Sequence, residues 1–168
     1  YHQRITFYGS FIYGWLALLF CYLACREIVE HRWAMLASLG AALAGPLPYY
    51  CLTGASYSHA PATMATSLLV WLWLRYRKAW TTKRWMALGA AAGLAVLIRP
   101  ATAPVLLIPL YEGMRQLWSA LRARDPDRLA PKRPLPRSGF AHQAIGPLAG
   151  AAVALLVFFP QLWVWKLM

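Results

Sequence analysis

Six apolar runs, most of them close to the roughly 20 residues an α-helix needs to cross a bilayer, dictate what this chain can become. They cover residues 8–25, 33–52, 59–75, 85–98, 101–118 and 141–165, the fourth being short. Lipid offers the backbone no hydrogen-bond partner, so each run must be helical. With 60% hydrophobic residues, nine Trp and a mean hydropathy of +0.44 over 168 residues, a water-soluble domain could not hide the apolar surface. The expected fold is all-α: a polytopic transmembrane bundle of about six membrane helices. Residues 1–168 are expected to form a single transmembrane domain with no internal repeat. The chain begins at Tyr1 with no signal peptide and stops just after an apolar run, which leads us to expect an internal fragment of a longer protein. Runs four and five could form one kinked helix. An Arg beside a Pro in mid-bilayer would be costly, so two helices turning at Arg99-Pro100 fit better.

In a soluble protein the net charge of +12 would suggest a nucleic-acid partner. Here the cations sit between apolar runs. Residues 26–33 carry two, residues 75–84 five and residues 113–140 seven, which is fourteen of the seventeen. With six crossings these loops all fall on one side, and the positive-inside rule makes that side cytoplasmic. No nucleic-acid partner is expected. All five acids (Glu27, Glu30, Glu112, Asp125 and Asp127) fall on the same side. Residues 119–140 read as a cytoplasmic, basic, Pro-rich loop lying against anionic membrane lipids. The loop around residues 56–59, the Arg99-Pro100 turn and both chain ends face outside.

The stretch from Tyr49 to Pro61 joins two apolar runs without a charged residue, yet it is rich in hydroxyls and contains an imidazole. Ser58 or Ser56 can cap the helix that follows, and Pro61 suits its first turn. His59 then sits at a helix N-terminus, where it either caps or donates to a phosphate or sugar hydroxyl. Arg99 is the one cation in the interior of the outer face. It either snorkels to the headgroups or clamps a phosphate. Tyr49, Tyr50 and Tyr57 line a polar groove or belong to the interfacial aromatic belt, the belt being the reading preferred. Lys166 either meets a lipid phosphate or snorkels. The pairs Gly89/Gly93 and Gly146/Gly150 allow close helix approach, read here as packing within the bundle. Trp71, Trp73, Trp80, Trp85, Trp163 and Trp165 lie near run ends, as interfacial anchors do. Cys21, Cys25 and Cys51 match no metal or redox spacing and read as small core residues. No metal cluster is apparent.

Three of these stretches, in order, resemble a known family. Tyr49-Tyr50 followed by Ser58-His59-Ala60 resembles the YY…P-x-SHA stretch of bacterial GT-C membrane glycosyltransferases, relatives of protein O-mannosyltransferases and of aminoarabinose transferases. Gly93 to Pro100 is similar to their GLALLxRP helix end, and Pro160 to Lys166 to their PQLLxWK helix. The resemblance implies transfer of a sugar from a polyprenyl-phosphate-linked donor to a periplasmic-side acceptor, in a multi-pass protein of the bacterial inner membrane. It also implies a catalytic Asp or Glu in a first outer loop, which this sequence does not contain upstream of its first run. No catalytic residue is therefore assigned here. The binding candidates are His59, Arg99, Ser58, Tyr57 and Lys166. No cofactor is assigned, and a divalent metal and the oligomeric state stay open. The alternative is a helical transporter or flippase without covalent chemistry. Transporters often pair broken helices near mid-membrane, whereas the polar groups here gather at the outer edge.

Overall fold

The computed structural model describes residues 2–52, 58–122 and 138–167. Among them are seven α-helices and one 3-10 helix: α1 (His2–Arg26), α2 (His31–Ala44), α3 (Leu47–Leu52), α4 (His59–Tyr76), α5 (Thr82–Ile98), the 3-10 helix Pro100–Leu106, α6 (Leu107–Arg122) and α7 (Ser138–Leu167). The all-helical class expected from the apolar runs is what forms. Two stretches, Tyr8–Arg26 and Ile145–Leu167, are long and apolar enough to cross a membrane.

Two runs do not fold as single helices. The run at 33–52 breaks at Gly45-Pro46, because Pro46 pushes the residue before it out of helical geometry; Gly45 is extended, at φ −92° and ψ 171°. The chain restarts as α3, with the Tyr50 amide bonded to the Pro46 carbonyl at 3.1 Å. The run at 101–118 opens as a 3-10 helix with Pro100 in its first turn and Pro104 inside, and only then becomes α6. The turn at Arg99-Pro100 forms as expected. Arg99 caps α5 in extended geometry, and the Thr102 hydroxyl is 2.8 Å from the carbonyls of both Ala95 and Arg99, adding to the amide each already accepts. The loop expected at 119–140 is helical at both flanks; residues 123–137 lie outside the described residues.

Packing runs through small residues. The buried apolar set is dominated by alanine (Ala17, Ala34, Ala60, Ala65, Ala92 and Ala95 among them), and the largest fully buried side chains are Leu69 and Leu88. Many of the large side chains point outward: Trp15, Trp33, Leu43, Leu148 and Leu156 are all exposed. Water would reverse this arrangement; lipid does not, because outside an apolar bundle it is as apolar as leucine. The glycine pairs lock α5 to α7. A Cβ on Gly93 would come within 2.6 Å of the Ala154 carbonyl oxygen, one on Gly150 within 2.7 Å of the Trp85 carbonyl oxygen, and one on Gly89 would collide with the Gly150 backbone. Trp85 itself is buried and stacks on Trp80 at 4.4 Å, so it is a packing residue and not the interfacial anchor its position suggested.

The helices alternate in direction, which sorts their ends. At one end Glu27 pairs with Arg75 at 3.2 Å, Arg84 lies over the Tyr76 ring and Trp80 reaches Glu112. At the other end the start of α4 meets the end of α5.

Candidate functional site

The meeting of α4 and α5 brings together the two candidates singled out by charge and position. Nη1 of Arg99 lies 2.9 Å from Nε2 of His59 and also touches Nδ1. A guanidinium can only donate, so the imidazole nitrogen facing it accepts. One face of the imidazole is covered by Tyr50, whose ring stacks on it with centroids 3.9 Å apart and planes 12° from parallel. The break at Gly45-Pro46 starts the short helix that delivers Tyr50 to this contact. Tyr50 thus packs directly on His59, whereas Tyr49 stays more than half exposed.

His59 and Arg99 border an open polar cavity of about 360 Å³ with Ala62, Thr63, Thr66, Ala101 and Thr102. His59, Thr63 and Thr66 fall on one face of α4 at i, i+4 and i+7 spacing. That spacing was the signal that could have revealed the threonines from sequence. Their hydroxyl protons are committed: Thr63 donates to the His59 carbonyl at 2.9 Å, Thr66 to Ala62 at 2.9 Å, and Thr102 to the carbonyls already named. What these oxygens retain toward the cavity is lone pairs, which can accept from ligand hydroxyls. Arg99 supplies donors and full positive charge. The wall therefore suits a ligand carrying both an anion and hydroxyl groups. Tyr50, His59 and Thr63 also line a second, mostly apolar cavity of about 200 Å³ that runs between α1, α2 and α4 past Leu18 and Ala42.

The remaining candidates divide. Ser58 is exposed at the N-cap position of α4 but makes no side-chain capping bond; its backbone, at ψ 10°, is not in the extended geometry that capping requires. Tyr57, like Ser56, lies outside the described residues. Lys166 is exposed in the last turn of α7 and is not among the residues lining the cavity. Among the described residues the three acids, Glu27, Glu30 and Glu112, all lie at the end away from His59, and no three His, Cys, Asp or Glu side chains converge as a metal site requires.

The family model for dolichyl-phosphate-mannose-protein mannosyltransferases matches residues 2–122, well over half of the chain and including every residue of the cavity. The chain belongs to that family, which places it among membrane glycosyltransferases and favours group transfer over the transport alternative. No curated protein and no solved structure matches it.

Proposed function

We propose that this chain is part of a multi-pass membrane glycosyltransferase that moves a sugar from a polyprenyl-phosphate-linked donor to an acceptor on the side opposite the basic loops. In a bacterium that side is the periplasmic face of the inner membrane. The observation carrying this reading is the Arg99–His59 contact over a cavity walled by threonine lone pairs. Arg99 is the carrier-phosphate ligand in this proposal, and His59, braced by Tyr50, aims it. Inverting transfer needs a base to take the acceptor hydroxyl proton. No acid among the described residues stands near His59, so the carboxylate is assigned to residues beyond this set.

The test is donor affinity and turnover for Arg99→Ala and Arg99→Lys in full-length enzyme with folding verified. Losing a charge-assisted hydrogen bond costs about 1.5–3 kcal/mol, or roughly 10- to 150-fold in affinity. Lys should recover part of it, keeping the charge but losing the fork. A folded Arg99→Ala protein with undiminished donor affinity would remove Arg99 from the site.

A further inference from the structure

The two neighbours of His59 favour opposite charge states. Arg99 Nη1 reaches both ring nitrogens, Nε2 at 2.9 Å. A guanidinium is always charged and offers only donors, so at this range it favours a neutral imidazole with a lone pair turned toward it. Tyr50 lies flat on the same ring, with centroids 3.9 Å apart. The electron-rich face of a phenol attracts a cation, so that contact favours imidazolium. Among the described residues no acid stands near enough to decide between them; Glu27, Glu30 and Glu112 lie at the other end. The titratable or charged groups brought to the two cavities that His59 borders are Arg99 at the end of α5, Tyr50 on α3 and Cys21 on α1, while α2 and the 3-10 helix bring none. Phenols and thiols ordinarily keep their protons at neutral pH, and a guanidinium keeps its charge. Among the described residues here, His59 is the group able to change charge.

The phosphate assigned to this site also changes charge. In a carrier-linked sugar donor it is a diester with one negative charge. During transfer the acceptor oxygen bonds to the anomeric carbon of the sugar, and the bond from that carbon to the phosphate oxygen breaks. The electron pair stays on the phosphate oxygen, and the acceptor proton goes to the carboxylate base. The carrier is left as a monoester with about two negative charges near neutral pH. We propose that His59 is neutral while the donor diester sits on Arg99, and takes a proton from water when the phosphate becomes a monoester. The positive charge of the site then rises from one to two in step with the negative charge of the phosphate. The open polar cavity of about 360 Å³ bordered by both residues gives that proton its route. The doubly charged pair holds the product until His59 loses its proton again, so product release slows at acid pH.

The inference rests on the reading of Arg99 as the phosphate ligand, and the experiment separates the two. Full-length enzyme is titrated in a calorimeter with farnesyl phosphate, a monoester, and with its methyl diester. The pH is about 7.5, where an ordinary imidazole is mostly neutral and a phosphomonoester mostly dianionic. Repeating each titration in buffers of different ionisation heat gives the protons taken up on binding. The expected result is an uptake approaching one proton for the monoester and none for the diester, with the phosphorus NMR signal of the bound monoester at its dianion position. His59→Gln, which keeps an acceptor for Arg99, should lose most of the monoester uptake, as should His59→Asn. No uptake in the wild type, a bound phosphate at its monoanion position, or undiminished uptake in either variant would each overturn the proposal and leave Arg99 as the phosphate ligand. If folded Arg99→Ala protein binds both ligands as tightly as the wild type, the phosphate site is misplaced and the underlying reading fails instead.

Discussion

His59 is held between two neighbours of different kinds, an aromatic plane on one face and a guanidinium at its nitrogens. Ring stacking of this sort contributes about 0.5–1.5 kcal/mol beyond simple burial. A double-mutant cycle with His59→Ala and Tyr50→Ala, read as thermal unfolding of purified protein, should therefore show a coupling of about that size. Purely additive losses would mean the rings are adjacent without being coupled. The sequence made His59 and Arg99 visible because a lone cation on a cation-poor side and an imidazole beside a helix start both stand out. It hid Tyr50, since a tyrosine near a run end is also what an interfacial belt looks like. Only the break at Gly45-Pro46 decides which way that ring turns. Thr63 and Thr66 were easy to pass over for another reason: their hydroxyls bond the preceding turn of an apolar helix, and only their spacing from His59 marks them.

Among the elements, α5 and α7 are held at backbone distance by Gly89, Gly93 and Gly150, and enlarging one must push the pair apart. Gly150→Leu should cost about 1–3 kcal/mol or more, measured by unfolding in detergent. The neighbouring Gly113, whose added Cβ would meet only ordinary contacts at 3.4 Å or beyond, should accept alanine with little loss from crowding. A different kind of joint holds α6. Glu112→Ala strands the Trp80 and Arg115 donors and should cost about 1–3 kcal/mol, while Glu112→Gln keeps an acceptor oxygen and should lose less. Equal losses for the two variants would show that the charge, and not the acceptor, holds the joint. Run lengths foretold α1, α4, α5 and α7 to within a few residues at most of their ends. They missed the divisions of the second and fifth runs, because apolarity carries no mark of where a proline will interrupt the hydrogen bonds.

For the molecule as a whole, the alternation of helix directions separates a cation-dense end from the end that bears His59 and Arg99. We predict that Cys placed at Ser58 reacts with a membrane-impermeant reagent added outside intact cells, whereas Cys at Ala79 reacts only after permeabilisation, in a background without native Cys. The reverse pattern would invert the topology and put the cavity in the cytoplasm. The charge count carried this much in advance; it could not carry which helices touch, since that depends on where small residues coincide across neighbours. The interior those residues build, mostly alanine and glycine around a few large side chains such as Leu69, Leu72, Leu88 and Trp85, has a consequence for how the protein tolerates change. A soluble core is wounded mainly by deletion, because large side chains leave holes. This one has less to delete. Its vulnerable substitutions are the ones that add atoms, so random mutation should strike it most often through Ala→Val, Gly→Arg and their like, while truncations of its large outward residues pass with small effect on the fold.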